Sequence, residues 1–223
     1  QFIYETDGLI FTPIDKSVGS TKLGILENNK TWGLSFKWKP PEYNTIDFLV
    51  TTKKNEDGTD FIGNVFNYSE QNKIMQYKTL ILRVGYDERK HGLINPCDTI
   101  IEDTIFENNN NKKNSYKPVP FYPTDPTPNY KIYICNIMLN NEGTNLKMLT
   151  ENGLEEIEDN MIVEFKFEKE AEKFWQWVPI RVRYDKTEDF KKGGRNFGNA
   201  YHVAQSVWRS INNPITEDIV CSG

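Results

Sequence analysis

The sequence predicts an α+β fold with a mixed sheet, a small β-barrel and one helix near the C-terminus. Short segments of alternating apolar residues recur along the 223 residues, and aromatic residues, which are frequent in strands, make up 13% of the chain. The helix is predicted by a single apolar stripe at helical spacing, from Ala200 to Ile211, which ends at Asn212-Asn213-Pro214. Many short strands and one late helix together indicate the α+β class.

The predicted strands follow one another from the N-terminus. They are Leu9–Phe11, Trp32–Lys39, Ile46–Val50, Thr79–Val84, Lys131–Leu139, Met161–Phe167 and a segment that begins at Trp177. In the second of these, Trp32, Leu34, Phe36 and Trp38 are expected on one face, with Lys37 and Lys39 on the other. Pro40-Pro41 is expected to end that strand.

Alternation in the last predicted strand places charged residues on one face. Val178, Ile180, Val182 and Tyr184 are expected to point one way, and Arg181, Arg183 and Asp185 the other. Between the strands, Lys117 to Asn129 carries five prolines and is expected to be extended.

Composition excludes several classes of protein. The net charge of −5 means that any nucleic-acid contact must come from a local basic face. Three cysteines without a CxxC motif indicate reduced thiols in an intracellular protein, and two histidines make a histidine-built metal site or a Ser-His-Asp triad improbable. No apolar run approaches the ~20 residues of a membrane span, so no membrane contact is expected. Because the chain does not start with Met or a signal peptide, it is expected to begin inside a longer protein.

Lys37 and Lys39 are candidate phosphate-binding residues. Ammonium groups at positions i and i+2 of a strand project from one face about 7 Å apart, which suits two points on a triphosphate. A solvated strand face is the alternative interpretation, and for an isolated pair it would be favoured.

Two further groups could bind phosphate or metal. Asp7-Gly8 places a carboxylate beside a residue that permits close backbone approach, although for the pair alone a simple Asp-Gly turn is the favoured interpretation. The other group combines three cations with one carboxylate near the C-terminal end of the chain: Arg181, Arg183, Asp185 and Lys186. Arginine binds phosphate bidentately, but a surface ion-pair cluster is a competing interpretation.

Three segments, in this order, resemble motifs IV, V and VI of the covalent nucleotidyltransferase superfamily. Thr6-Asp7-Gly8-Leu9-Ile10-Phe11 resembles motif IV. Phe36-Lys37-Trp38-Lys39-Pro40-Pro41, continuing to Asn44-Thr45-Ile46-Asp47-Phe48, resembles motif V, and Trp177 through Arg183-Tyr184-Asp185-Lys186 resembles motif VI. Within the superfamily the chain is similar to the mRNA-capping guanylyltransferases, in particular those of large cytoplasmic DNA viruses.

The resemblance implies a two-step reaction. A lysine attacks the α-phosphate of GTP, pyrophosphate leaves, and GMP passes to the 5′-diphosphate end of a nascent mRNA. By position, Asp7 would bind Mg²⁺ or Mn²⁺ at the α-phosphate, where Lys37 and Lys39 would neutralise charge. The outgoing β- and γ-phosphates would be bound on a closing lid by Arg181, Arg183, Asp185 and Lys186.

The resemblance also implies a domain organisation and a cellular location. Residues 1–70 would complete a nucleotidyltransferase domain, residues 71–190 would form an oligonucleotide/oligosaccharide-binding (OB) lid, and residues 191–223 would supply a helix and a linker toward a cap methyltransferase domain or subunit. The protein would act inside the cell, in the host cytoplasm (a viral factory) or in the virion if it is viral.

The sequence departs from the family pattern in one important respect. The lysine nucleophile of the family lies in a KxDG motif, and none occurs in the 223 residues, so the lysine is expected outside this chain. Two alternatives remain open. One is a fragment of an ATP-dependent nucleic-acid ligase, and the other is a non-catalytic OB module that binds RNA or docks partners, with Tyr130, Tyr133 and Phe165 as stacking residues.

Overall fold

The structure is a computed structural model that describes residues 8–19, 32–67, 73–92, 116–140 and 146–222. The strands are β1 (Leu9–Phe11), β2 (Phe36–Trp38), β3 (Thr45–Thr52), β4 (Ile62–Asn67), β5 (Lys73–Asp87), β6 (Tyr116–Pro120), β7 (Ile134–Asn140), β8 (Lys147–Leu149), β9 (Glu156–Ile157), β10 (Met161–Phe167) and β11 (Trp177–Val182). The α-helices are α1 (Glu88–His91), α2 (Tyr184–Lys191), α3 (Tyr201–Asn212) and α4 (Glu217–Cys221). The chain divides into a smaller unit, residues 1–44 with 213–223, and a larger unit, residues 45–212.

The smaller unit contains an antiparallel pair of short strands. Leu9 in β1 lies opposite Trp38 in β2, and the indole Nε1 of Trp38 donates a hydrogen bond to the carbonyl of Ile215 at 2.7 Å. Gly8 has a φ of +144°, and a side chain at this position would overlap the carbonyl oxygen of Trp38. Glycine at this position therefore permits the close approach of β2, and the role of Asp7-Gly8 toward a metal or phosphate stays a prediction.

The second strand is shorter than the sequence predicted. Gly33 and Leu34 form a turn, in which the N–H of Ser35 donates to the carbonyl of Trp32 at 3.4 Å, and pairing begins only at Phe36. The prediction of one apolar face from Trp32 to Trp38 is wrong for this reason. The predicted stop at Pro40-Pro41 is confirmed, because a 3-10 turn at Pro41–Tyr43 follows β2.

The larger unit is an antiparallel sheet built around β5, which is 15 residues long. The strands follow the order β11-β10-β3-β5-β7-β8-β9, and β4 and β6 also pair with β5. The predicted strand Thr79–Val84 is the middle of β5. Because β5 is so long, successive stretches of it can pair with four different strands.

The two ends of the sheet approach each other. The N–H of Glu151, between β8 and β9, donates to the carbonyl of Pro179 in β11 at 2.7 Å. The carboxylate of Glu155 accepts a hydrogen bond from the N–H of Val182 at 2.9 Å. The sheet is thus a nearly closed barrel, which confirms the α+β class and agrees with an OB fold.

An aromatic core fills the larger unit. The ring centroids of Phe48 and Trp177 lie 5.0 Å apart, and Trp208 of α3 lies 5.1 Å from Phe167. Ala204 and Ile211, on the same face of α3 as Trp208, are also buried. The predicted apolar stripe is therefore confirmed as core packing, except at Val203, which is 39% exposed.

A β-bulge interrupts the alternation in β11. Phe165 pairs with Pro179, but the next pair joins Glu164 to Arg181, so Ile180 is an additional residue on β11. The buried residues of this strand are Trp177, Pro179 and Val182. The prediction that Val178, Ile180, Val182 and Tyr184 share one face is wrong.

Helix α2 begins where the sequence predicted a continued strand. Arg183 occupies the position before the helix, and Asp185 and Lys186 lie in its first turn. The hydroxyl of the buried Thr187 accepts a hydrogen bond from the N–H of Ile162 at 2.9 Å, which fixes α2 against β10. The prediction that the charged residues line one strand face is corrected, because Arg181 alone among them lies on β11.

The larger unit starts earlier and ends later than the predicted lid. Residues 45–52 belong to it because β3 pairs with β5 and β10, and α3 belongs to it because its apolar face packs into the barrel. The predicted domains 1–70, 71–190 and 191–223 concern the organisation of a longer protein and stay a prediction.

Candidate functional site

Lys37 and Lys39 lie together in the smaller unit. Lys37 is an exposed residue of β2, opposite Ile10, and Lys39 follows the strand directly and is half-buried. The segment that the sequence selected is therefore a strand end immediately before a rigid turn. The contact of these lysines with a phosphate stays a prediction.

Asp7, the predicted metal ligand, lies outside the described residues. Among the residues that are described, no group of three or more His, Cys, Asp or Glu side chains is close enough to hold a metal ion. The expected Mg²⁺ or Mn²⁺ site therefore depends on Asp7 and stays a prediction.

The other predicted charged residues converge on Asp47 in the larger unit. The Oδ2 atom of Asp47 accepts hydrogen bonds from Arg183 Nη1 and from Lys186 Nζ, both at 2.6 Å, and the Asp47 side chain is only 7% exposed. The same guanidinium forms a forked ion pair with Asp185, through Nη2 to Oδ2 at 3.1 Å and Nε to Oδ1 at 3.3 Å. These four residues are called the Asp47 cluster below.

A second ion pair lies beside the Asp47 cluster on the same three strands. Glu164 of β10 is directly opposite Asp47 of β3 on one side and Arg181 of β11 on the other. Its carboxylate accepts hydrogen bonds from Arg181 Nε at 2.5 Å and from the hydroxyl of Thr45 at 2.6 Å. The structure thus brings together all four predicted residues of the C-terminal group.

The cations stabilise the ionised carboxylates. Burial alone would raise the pKa of Glu164, but hydrogen bonds from Thr45 and Arg181 and the nearby guanidinium charges hold that pKa below its usual value. The hydrogen bond from Arg183 lowers the pKa of Asp185, and the same bond raises the pKa of Arg183. The side chains of Glu164, Asp185 and Arg183 are therefore charged at neutral pH.

The chain segment after α2 buries Asp47. Gly198 bridges to Phe48, the side-chain carbonyl of Asn199 accepts from the N–H of Asp47 at 2.8 Å, and the N–H of Asn199 donates back to the Asp47 carbonyl at 2.8 Å. Gly198 has a φ of +80°, and a side chain there would overlap the Asp47 backbone. Glycine is needed at this position both for the conformation and for the close approach.

The charges at this site balance. Arg181, Arg183 and Lys186 are matched by three carboxylates, those of Asp47, Glu164 and Asp185. A phosphate at Arg183 or Lys186 would therefore compete with carboxylates that are already paired with these cations. Binding of phosphate by these residues stays a prediction.

Sequence reasoning missed the residue at the centre of this site. Asp47 was recognised as part of a motif but was assigned no role. A signal was present, since Asp47 is a lone carboxylate within the apolar run from Ile46 to Val50, and such a group needs a charged partner when it is buried. No comparable sequence signal marked Thr187 or Asn199 as part of this site.

The predicted stacking residues of the alternative RNA-binding module are partly wrong. Phe165 is fully buried and Tyr133 is 5% exposed, because both side chains belong to the barrel core. Neither ring can stack on a base. Tyr130 is half-buried and lines a cavity, so it alone of the three keeps this role as a prediction.

None of the described helices is both long enough and apolar enough to cross a membrane.

Comparison with known proteins identifies the family. The model of the mRNA capping enzyme C-terminal domain matches residues 43–221. A probable mRNA-capping enzyme of Acanthamoeba polyphaga mimivirus is 32% identical over 222 residues, which are 98% of this chain and 16% of the relative. The mRNA-capping enzymes of mouse and of African swine fever virus (strain Badajoz 1971 Vero-adapted) are 26% and 24% identical over 97% and 99% of this chain. The chain spans 16 to 21% of the length of these relatives.

Proposed function

The chain belongs to the family of mRNA capping enzyme C-terminal domains, and from that premise we propose that it forms part of an mRNA guanylyltransferase. The proposed enzyme moves GMP from GTP to the 5′-diphosphate end of RNA. The family match covers both units of the chain in part, and the relatives from two viruses and from mouse are all named capping enzymes. The match supports capping over the alternative of a nucleic-acid ligase fragment.

The proposed reaction has two displacements at one phosphorus atom. In the first, a lysine amine attacks the α-phosphorus of GTP, a P–N bond forms, the bond to the bridging oxygen breaks, and pyrophosphate leaves. In the second, a terminal oxygen of the RNA 5′-diphosphate attacks the same phosphorus and displaces the lysine. The 223 residues hold no KxDG motif, so the proposal places the nucleophile outside this chain.

The observation that carries the proposal is the convergence of Arg183 and Lys186 on one oxygen atom. Both cations lie 2.6 Å from Asp47 Oδ2, so the fold already directs them at a single anionic oxygen. An oxygen of the outgoing pyrophosphate has the same charge and size and can take that place. In the proposal, Arg181 and Asp185 support this arrangement through their own ion pairs.

The lysine segment has a separate role in the proposal. Lys37 and Lys39 neutralise the negative charge that develops on the α-phosphate, which reacts in both displacements. Mg²⁺ or Mn²⁺, bound through Asp7, would supply additional positive charge at that phosphate. Among the described residues, no group of three or more His, Cys, Asp or Glu side chains could hold the ion.

The relatives also suggest the context of the reaction. Two of them are viral, so we propose that this chain acts within a viral capping enzyme inside the infected cell. Its substrates would be GTP and the 5′ end of nascent mRNA, and a cap methyltransferase domain or subunit would act on the product.

Labelling with radioactive GTP tests the proposal. The polypeptide that carries these residues, incubated with α-³²P-labelled GTP and Mg²⁺ or Mn²⁺, should form an acid-stable GMP adduct, and the 223-residue chain alone should form none. Labelling by ATP in place of GTP would indicate a ligase. A GMP adduct mapped by mass spectrometry to a lysine within residues 1–223 would show that the nucleophile had been placed wrongly.

A further inference from the structure

A cavity of about 580 Å³ lies in the larger unit, and five of the eleven described residues that line it carry aromatic rings. It lies apart from the Asp47 cluster in sequence, since its walls come from β5, α1, the segment between β6 and β7, and the start of α3. Its volume is typical of a site for a small organic molecule or a nucleotide. The rings that line it are Tyr86, His91, Tyr122, Tyr130 and Tyr201.

These rings are held in place by their own contacts. The hydroxyl of Tyr86 donates to the carbonyls of His91 at 3.0 Å and Gly92 at 2.8 Å, and Tyr201 donates to the carbonyl of Tyr122 at 3.0 Å. Tyr86 and Tyr201 meet edge to face with centroids 5.1 Å apart. The tyrosines therefore form a fixed aromatic surface, and little side-chain entropy is lost when a planar ligand stacks on it.

The polar groups at the cavity indicate the charge of the ligand. No carboxylate is among the described residues that line it, whereas Asn129 and Lys131 are exposed at its wall. A cationic ligand would lack a counter-charge here. A side-chain amide can pair with the donor and acceptor atoms of a nucleobase edge, and an ammonium group suits the adjoining phosphate.

The hydrogen bonds of the tyrosine hydroxyls make an extended peptide a poor ligand for this cavity. An extended peptide presents backbone carbonyls, which need hydrogen-bond donors from the protein. Two of the tyrosine hydroxyls, those of Tyr86 and Tyr201, already donate to carbonyls of this chain. The half-buried tyrosines, such as Tyr122 and Tyr130, offer ring surface, which is what a base requires.

We propose that this cavity binds one unpaired base of the RNA whose 5′ end receives GMP. The base stacks on the tyrosine rings, Asn129 contacts its edge, and Lys131 neutralises the neighbouring phosphate. This inference rests on the proposed function for the identity of the RNA, but binding itself needs neither GTP nor the lysine nucleophile.

RNA binding to the 223-residue chain tests the inference. A 5′-fluorescein-labelled single-stranded RNA of mixed sequence is titrated and the fluorescence anisotropy recorded at one fixed salt concentration. Tyr130→Leu should weaken binding about 5- to 150-fold, the loss typical of one stacked base, and Tyr130→Phe, which keeps the ring, should bind within a few-fold of the parent. Phe66→Leu is the matched control, since Phe66 is 59% exposed on β4 and outside the cavity, and it should have no effect.

A second variant distinguishes loss of RNA binding from unfolding of the chain. Asn129 is exposed and Asn129→Ala should keep the melting curve of the parent while weakening RNA binding several-fold. Unchanged binding in both Tyr130→Leu and Asn129→Ala overturns the inference. So does a result in which an extended peptide, and not RNA, loses binding in these variants.

The binding assay separates this inference from the proposed function. Loss of RNA binding in Tyr130→Leu supports the cavity even if the longer polypeptide forms no GMP adduct, a result that would contradict only the guanylyltransferase. Normal GMP labelling together with unchanged RNA binding in the cavity variants would contradict only the base-binding cavity.

Discussion

The lysine segment and two cations of the Asp47 cluster, Arg183 and Lys186, were both predicted from sequence to bind phosphate, yet the structure holds them in different ways. Lys37 is an exposed residue on a strand of three residues. Arg183 and Lys186, by contrast, share one oxygen of a carboxylate that is only 7% exposed. One region places an exposed lysine on a short strand, and in the other two cations share a nearly buried carboxylate.

Because of this difference, substitutions in the two regions should affect activity and stability differently. An exposed lysine contributes little to folding, so its removal should change the reaction and leave the melting temperature unchanged. A cation that compensates a buried carboxylate contributes to both, because the carboxylate loses its partner when the cation is removed. Measurements of activity and of stability on the same variants are therefore needed to compare the two regions.

The largest effect is expected from Lys37→Ala. It should slow both formation of the GMP adduct and transfer of GMP to RNA by about 10²–10³-fold, because one charge-stabilising donor is lost from a phosphate that reacts twice. The melting temperature should not change. Lys16→Ala is the matched control, since Lys16 is a half-buried lysine of the same unit and forms an ion pair with Asp15. Activity of Lys37→Ala within a few-fold of the parent would remove the lysine segment from the site.

Asp47→Asn should mainly reduce stability. It keeps the shape of the side chain but leaves Arg183 and Lys186 without their shared charge, which should cost about 1–3 kcal/mol, a value below that of a fully buried pair because both cations reach solvent. Urea unfolding measures the loss. Asp185→Asn, which removes a 68% exposed carboxylate from the same cluster, should cost much less than Asp47→Asn. Equal losses in the two variants would contradict the central position of Asp47.

The smallest effect concerns pH. Because the folded-state pKa of Glu164 is below its usual value, its contribution to stability is complete above the unfolded-state pKa of about 4.3 and is lost as the pH falls toward the folded-state pKa. Unfolding measured at neutral pH and near pH 4 should therefore show a smaller acid-induced loss for Glu164→Gln than for the parent. Identical pH dependence in both proteins would show that Glu164 is not stabilised by Arg181 and Thr45.

Much of the barrel could be predicted because its pattern is local. β1 and β10 match the predicted segments residue for residue, and α3 follows the apolar stripe that ends at Asn212. Helix α2 could not be predicted in the same way, since Thr187 is its only buried residue and no apolar stripe marks it. The bulge at Ile180 could not be predicted either, because apolar and charged residues alternate through it without interruption.

The functional residues that could be predicted are likewise those that a local sequence pattern marks. Arg181, Arg183 and Lys186 could be selected because they form a dense run of charge near one end of the chain. The partner that organises them, Asp47, is separated from Arg183 by 136 residues and meets it only through the pairing of β3, β10 and β11. The tyrosine cavity, assembled from distant segments without a shared motif, needed the folded structure.

The half-reactions of Arg183→Ala test the central claim most directly, namely that the Asp47 cluster supplies cations to the outgoing pyrophosphate. Single-turnover kinetics are measured for adduct formation from GTP and, separately, for transfer to RNA from polypeptide already loaded with GMP. Arg209→Ala, a 58% exposed arginine paired with Asp125, is the matched control. We predict a loss of about 10²–10³-fold in the first half-reaction and a change within a few-fold in the second. Equal losses in both half-reactions, or no loss in either, would contradict the claim.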